Sequence, residues 1–163
     1  VIVAALVIVA AIAIAEMFLS AKWNRFYFTI GLPIFISRVE RRTSLDDVPL
    51  EHLQKGSATA AGAPLVFERL DSDTIAFRER ALGGLIHYTP LMHGVIRRDP
   101  ASSSATVMGL MNWFILALMI MLAAMLRRDI INVLPVMIAV LAVLYLIQGI
   151  RFWRVARALR AVA

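Results

Sequence analysis

Three histidines, His52, His87 and His93, are the only neutral-pH bases in the chain, and none lies inside an apolar run. His87 and His93 are six residues apart with Pro90 between them, a spacing that fits no helical ligand pair. A metal site would need carboxylates brought in by the fold, from among Glu68, Asp71, Asp73 and Asp99. There is no cysteine. Disulfides, thiolate catalysis, iron–sulfur clusters and cysteine-based zinc sites are therefore excluded. Gly83-Gly84 lacks the flanking pattern of a phosphate loop, and no G-x-S-x-G nucleophile elbow occurs. Five methionines gather between Met108 and Met125. Without histidine or cysteine beside them they read as packing material rather than a copper path. We expect no catalytic residue, no metal, no cofactor and no enzymatic activity.

The elements that would have to hold any such residues are mostly apolar. The chain has 163 residues, 61% of them hydrophobic, and a mean hydropathy of +0.79. That is a membrane composition with room for one small extramembrane domain. The expected fold is an α+β membrane protein with three transmembrane helices, one N-terminal and two in a C-terminal hairpin. A small, mostly-β cytoplasmic domain lies between them.

The first span covers residues 1–20. An unbroken Val/Ile/Ala/Leu run to Ala15 is long enough to cross the bilayer, and no basic stretch marks it as a cleaved signal peptide. Glu16, near its end, is expected to reach the interface or to pair with Lys22 or Arg25. The second span covers 107–126 and the third 130–150. About 20 residues at about 1.5 Å each match the hydrocarbon thickness of about 30 Å. Arg127-Arg128-Asp129 joins them, so the two are expected to pack as antiparallel neighbours. Small or polar residues recur along both: Gly109, Asn112 and Ala123 on the first, and Asn132, Ala139, Ala142, Tyr145 and Gln148 on the second. Counting outward from the turn puts Asn112 level with Tyr145 or Gln148, where a polar contact is expected. Pro135 falls one turn into its helix, where a missing donor costs least.

The middle domain, residues 22–106, holds 11 basic and 9 acidic residues. Phe26 to Val39 reads as two short strands split at Gly31-Leu32-Pro33. Ser44 is expected to cap a helix whose apolar side is Leu45, Val48, Leu50 and Leu53. Residues 56–64 form a small-residue, flexible loop. Leu65–Leu70 and Thr74–Arg80 alternate around Asp71-Ser72-Asp73 as a β-hairpin, with Phe67, Ile75 and Phe77 inward. Leu85–Tyr88 and Met92–Arg97 are further extended stretches, and Ala101–Thr106 is a linker that caps the second span.

Charge sets the orientation. The net charge is +6, and four of the arginines sit in the tail, residues 151–163. Arg151, Arg154, Arg157 and Arg160, with Trp23, Trp113 and Trp153, read as interfacial anchors on one basic side. That puts the N-terminus outside and the middle domain and C-terminus in the cytoplasm, as in a bacterial inner membrane. Arg127 and Arg128 run against the rule. The placement favours anionic headgroups over nucleic acid as the partner of the basic tail. The expected partners are thus the lipid bilayer and other membrane subunits. The leading expectation is a non-catalytic accessory or scaffold subunit of a larger membrane complex, respiratory or photosynthetic for instance. The alternative is a stand-alone membrane-anchored module that binds or senses anionic lipid or a cytoplasmic partner.

Overall fold

A computed structural model describes residues 2–40, 44–58, 64–80, 93–99, 101–125 and 130–162, the side chains of 2, 130–134, 137 and 144 excepted. The fold is α+β. Its centre is a five-stranded antiparallel sheet of order β1-β5-β4-β3-β2. The strands are β1 (Pro33–Glu40), β2 (Leu65–Asp71), β3 (Thr74–Glu79), β4 (His93–Asp99) and β5 (Ser104–Leu110). Helices α1 (Ile2–Ala21), α2 (Arg25–Thr29), α3 (Leu50–Gly56), α4 (Trp113–Met125) and α5 (Ile130–Arg160) surround or leave it.

Each face of the sheet follows from strand alternation. Ile75, Phe77, Ile96 and Val107 point to one side and are fully buried under α5. Ala76 and His93 point to the other, beneath Tyr27 and Phe28 of α2. The β2–β3 hairpin forms as its alternation implies, with Phe67, Ile75 and Phe77 in the core. Ser44 accepts the amide of Asp46 at 3.2 Å, but the turn it caps is a short 3-10 helix over Leu45–Asp47. Pro49 then starts α3, so the expected helix is broken in two.

Gly94 and Gly109 are cross-strand partners on the α5 side. The hollow they leave takes the rings of Phe77 and Phe152. Phe152 stacks on Phe35 at 5.6 Å and meets Phe77 edge-on at 6.0 Å. This is the centre of the core.

Four expectations are corrected. Phe26–Val39 is not two strands: Asn24 caps α2 by accepting the amide of Phe26 at 3.0 Å, and only Pro33 onward is strand. Residues 107–110, expected in the second span, finish β5, and Ser104–Thr106 are strand rather than linker. The helix therefore starts at Trp113, and Gly109 is a sheet residue. Its packing partner is the Phe152 ring. α4 packs chiefly on α1. Topology requires this, because β1 begins where β5 ends, with Pro33 opposite Leu110. The chain before β1 and the chain after β5 thus leave the sheet side by side. Finally, residues 151–160, expected as a basic tail, are the last turns of α5 and pack on the sheet. Phe152, Val155, Ala156 and Leu159 recur at helical spacing and are buried in the sheet core.

Among the described residues two helices, Val3–Ala21 and Ile138–Arg160, are long and apolar enough to cross a membrane. α4 has 13 described residues, about 20 Å at about 1.5 Å per residue, short of the bilayer core of about 30 Å. Three spans are therefore not established. The expected strand at Leu85–Tyr88, His87, Gly83-Gly84, the turn Arg127-Arg128-Asp129, and most of the loop 56–64 lie outside the described residues. The Asn132 side chain does too.

Candidate functional site

A buried polar cluster lies where the sheet meets α1 and α4. Glu16, Tyr27, His93 and Asn112 are all buried there. Each comes from a different element. Glu16 sits on the last turns of α1, on the stripe with Val9 and Ser20 that faces α4. Tyr27 belongs to α2, His93 opens β4, and Asn112 precedes α4.

The turn between α1 and α2 aims Tyr27 inward. Trp23 takes a left-handed backbone there, with φ of 52°. For a bulky residue that is strained. The indole is held in place by stacking on Phe28 at 5.3 Å and by the Arg78 guanidinium at 4.7 Å from its centre.

The Glu16 carboxylate accepts the backbone amides of Trp113 at 2.7 Å and Phe114 at 2.9 Å. It also accepts the Tyr27 hydroxyl at 3.2 Å. It therefore caps α4 from another helix, satisfying two of the first-turn amides that have no partner within their own helix. This corrects the expected pairing with Lys22 or Arg25. Arg25 pairs instead with Asp71 at 3.0 Å, and Lys22 lies over the Phe18 ring. Asn112 occupies the position before α4 where a side chain ordinarily caps. Its backbone carbonyl accepts the amide of Leu116, while its side-chain oxygen accepts Nδ1–H of His93 at 3.0 Å.

His93 stacks on Tyr27, ring centres 4.4 Å apart, with the Tyr27 oxygen 3.3 Å from Nδ1. An oxygen acceptor on Asn112 places the proton on Nδ1. Nε2 is then a buried lone pair with no hydrogen-bond partner among the described residues. Burial lowers the His93 pKa to about 4, against the opposing pull of the Asn112 hydrogen bond. Burial, and then the Glu16 carboxylate, push the Tyr27 hydroxyl well above its usual range. The ring of His93 is thus neutral at physiological pH, and its partners orient it. Chemically the cluster is a hydrogen-bonded joint. Both Glu16 oxygens are engaged by backbone amides, and His93 is fully enclosed.

The predicted residues scatter more widely. Ala123 is half-buried on α4, whereas Ala139 and Ala142 are exposed on α5. Tyr145 is half-buried and Gln148 buried. Trp113 meets Phe26 and Tyr27 edge-on, at 5.9 and 5.8 Å, and Trp153 is exposed. Arg151, expected at the interface, turns toward the sheet. It is buried in an ion pair with Glu79 of β3. Arg160 donates to Ser37 of β1 at 3.3 Å. Arg154 and Arg157 line a surface groove of about 400 Å³ with Trp153, Gly56, Ala158 and Ala161. Arg154 donates to the Ala58 carbonyl at 3.2 Å, and Arg157 lies over the Trp153 ring at 5.6 Å.

Among the described residues no group of three or more His, Asp or Glu is placed to hold a metal ion. Sequence reasoning found Glu16 and Asn112 as odd polar residues in apolar runs, but not the Tyr27–His93 pair that joins them. Comparison of the chain with protein-family models, curated proteins and solved structures finds no match.

Proposed function

We propose that this chain is a non-catalytic, membrane-anchored scaffold subunit of a larger membrane assembly. The carrying observation is the large apolar surface that α1 and α5 leave uncovered. Val3, Val7, Ile14 and Phe18 on α1, and Val136, Val143 and Leu146 on α5, are each more than half exposed. Neither stretch is enclosed by the rest of the described chain, so neither serves as the core helix of a soluble domain. Lipid or partner helices are the surroundings that remove that area from water. The polar cluster supports a structural role, because its carboxylate is occupied in capping α4.

Topology extends the proposal to a third crossing. The chain leaves the sheet after Leu110 and rejoins it at Arg151, so both points lie on one side of any membrane. Residues 111–150 then cross twice or not at all. If α5 spans, α4 and the residues after it complete the return. The distribution of basic residues supports a cytoplasmic sheet and C-terminus, with the N-terminus outside the inner membrane.

The test is gentle detergent extraction from native membranes, followed by sizing, subunit identification and an absorbance spectrum. Co-migration with a large complex supports the scaffold reading, and the chromophores in the spectrum identify the process. Migration alone as a small oligomer overturns it in favour of an independent binding module. Release by alkaline carbonate would remove the membrane reading altogether.

A further inference from the structure

We infer that the groove between α3 and α5 is a binding site for the phosphate of an anionic phospholipid headgroup, an inference that rests on the membrane reading above. The groove is built rather than incidental. Its floor is made of small residues, Gly56, Ala158 and Ala161, and Gly56 lies so close that a Cβ there would come within 2.8 Å of the Ala158 Cβ. Its wall is Trp153 with Arg154 and Arg157. These residues share one face of α5, because the opposite face, Phe152, Val155, Ala156 and Leu159, is buried in the sheet.

Two observations identify the occupant. The first is charge. Among the described residues neither Arg154 nor Arg157 pairs with a carboxylate, and the two line this one groove together. A guanidinium presents five donors in a planar fork that matches phosphate oxygens. Arg154 spends one on the Ala58 carbonyl, which fixes its direction, and Arg157 is steadied by the Trp153 ring.

The second observation is depth. The exposed apolar stretch of α5 ends at Ile150. At about 1.5 Å per residue, Trp153, Arg154 and Arg157 lie about 4.5, 6 and 10.5 Å beyond it along the helix. The polar layer on each side of the hydrocarbon core is about 5–7.5 Å thick. Trp153 and Arg154 therefore stand within the headgroup layer, and Arg157 starts about 3 Å beyond it, with a side chain that tilts back toward the helix N-terminus and so toward the layer. A phosphate held there keeps its acyl chains beside the apolar half of α5.

Native mass spectrometry of the full chain in mild detergent tests this, with titration of phosphatidylglycerol, phosphatidylcholine and inorganic phosphate. We expect phosphatidylglycerol to bind more tightly than phosphatidylcholine. Arg154→Gln with Arg157→Gln should weaken it about tenfold, on the scale expected for basic residues at an anionic surface. Ala161→Leu, which fills the groove and leaves the charge, should weaken it as well. Arg38→Gln with Arg160→Gln, at a separate groove beside β1, should not.

An unchanged preference in the double variant overturns the site, and equal loss in the control pair reduces it to general charge. Competition by millimolar inorganic phosphate would make the ligand a free anion instead of a lipid. Failure of the membrane reading is seen separately, as carbonate release of the unmodified chain.

Discussion

Replacing Glu16 with alanine strips two amides of α4 and the Tyr27 hydroxyl of a shared acceptor. Lost caps and buried unsatisfied donors cost about 1–3 kcal/mol each, with part recovered by relaxation. We expect Glu16→Ala to destabilise the chain by about 2–4 kcal/mol, read as a lower Tm in detergent, and Glu16→Gln to cost less. His93 makes a second prediction. Its folded pKa, about 4, lies below the ordinary 6.5, so the unfolded chain takes up the proton first. The neutral ring thus contributes fully above pH 6.5, and stability falls as pH drops from about 6.5 to about 4. The loss amounts to up to about 3 kcal/mol. Denaturant unfolding across that window should show the slope. His93→Asn, which keeps a donor at the Nδ1 position, should flatten it while lowering overall stability. At this scale the sequence showed which residues were out of place but not what they touched. Glu16 and the Trp113 amide are 97 positions apart, a pairing that no local pattern encodes.

Among the elements, the β2–β3 hairpin was legible because its apolar residues alternate and a polar loop separates them. β5 was not. Val107-Met-Gly-Leu is as apolar as α4 after it, so one long run hid a strand, a cap and a helix. In residues 151–160 the arginines at every third position drew attention from Phe152, Val155, Ala156 and Leu159, whose spacing was the true signal of a buried face. The sheet makes its own prediction at Gly94 and Gly109. A methyl at Gly94 meets the backbone oxygen of Met108 as well as Phe77, while at Gly109 the atoms nearest to it belong to the Phe152 ring. Overpacking of this kind costs about 1–3 kcal/mol or more. Gly94→Ala should therefore be the more damaging in thermal unfolding. Phe152→Leu should partly restore Gly109→Ala and leave Gly94→Ala unrescued. The buried pair of α5 and β3 behaves differently again. Glu79→Ala leaves Arg151 buried without its carboxylate and should cost about 3–5 kcal/mol, whereas Glu79→Leu with Arg151→Met should lie much closer to the unaltered chain.

For the whole molecule, the absence of native cysteine provides a clean background for mapping topology. Ser72→Cys, in the exposed β2–β3 loop, should react with an impermeant maleimide only after cells are opened. Asp129→Cys should react in intact cells. The reverse pattern would invert the orientation, and shielding at both positions until lysis would remove the crossing by α4 and α5. The α+β class and two apolar helices could be read from composition and run length. The helix partnership could not, because it follows from which strand ends lie side by side. One further consequence concerns timing. The β strands are complete once Leu110 has been synthesised, yet the residues that cover their apolar face lie between Phe152 and Leu159. At about 5–20 residues per second, the newborn sheet waits some seconds with Phe77 lacking the Phe152 ring that packs against it. During that interval the unfinished chain needs an insertion machinery or a holding chaperone more than the mature molecule ever will.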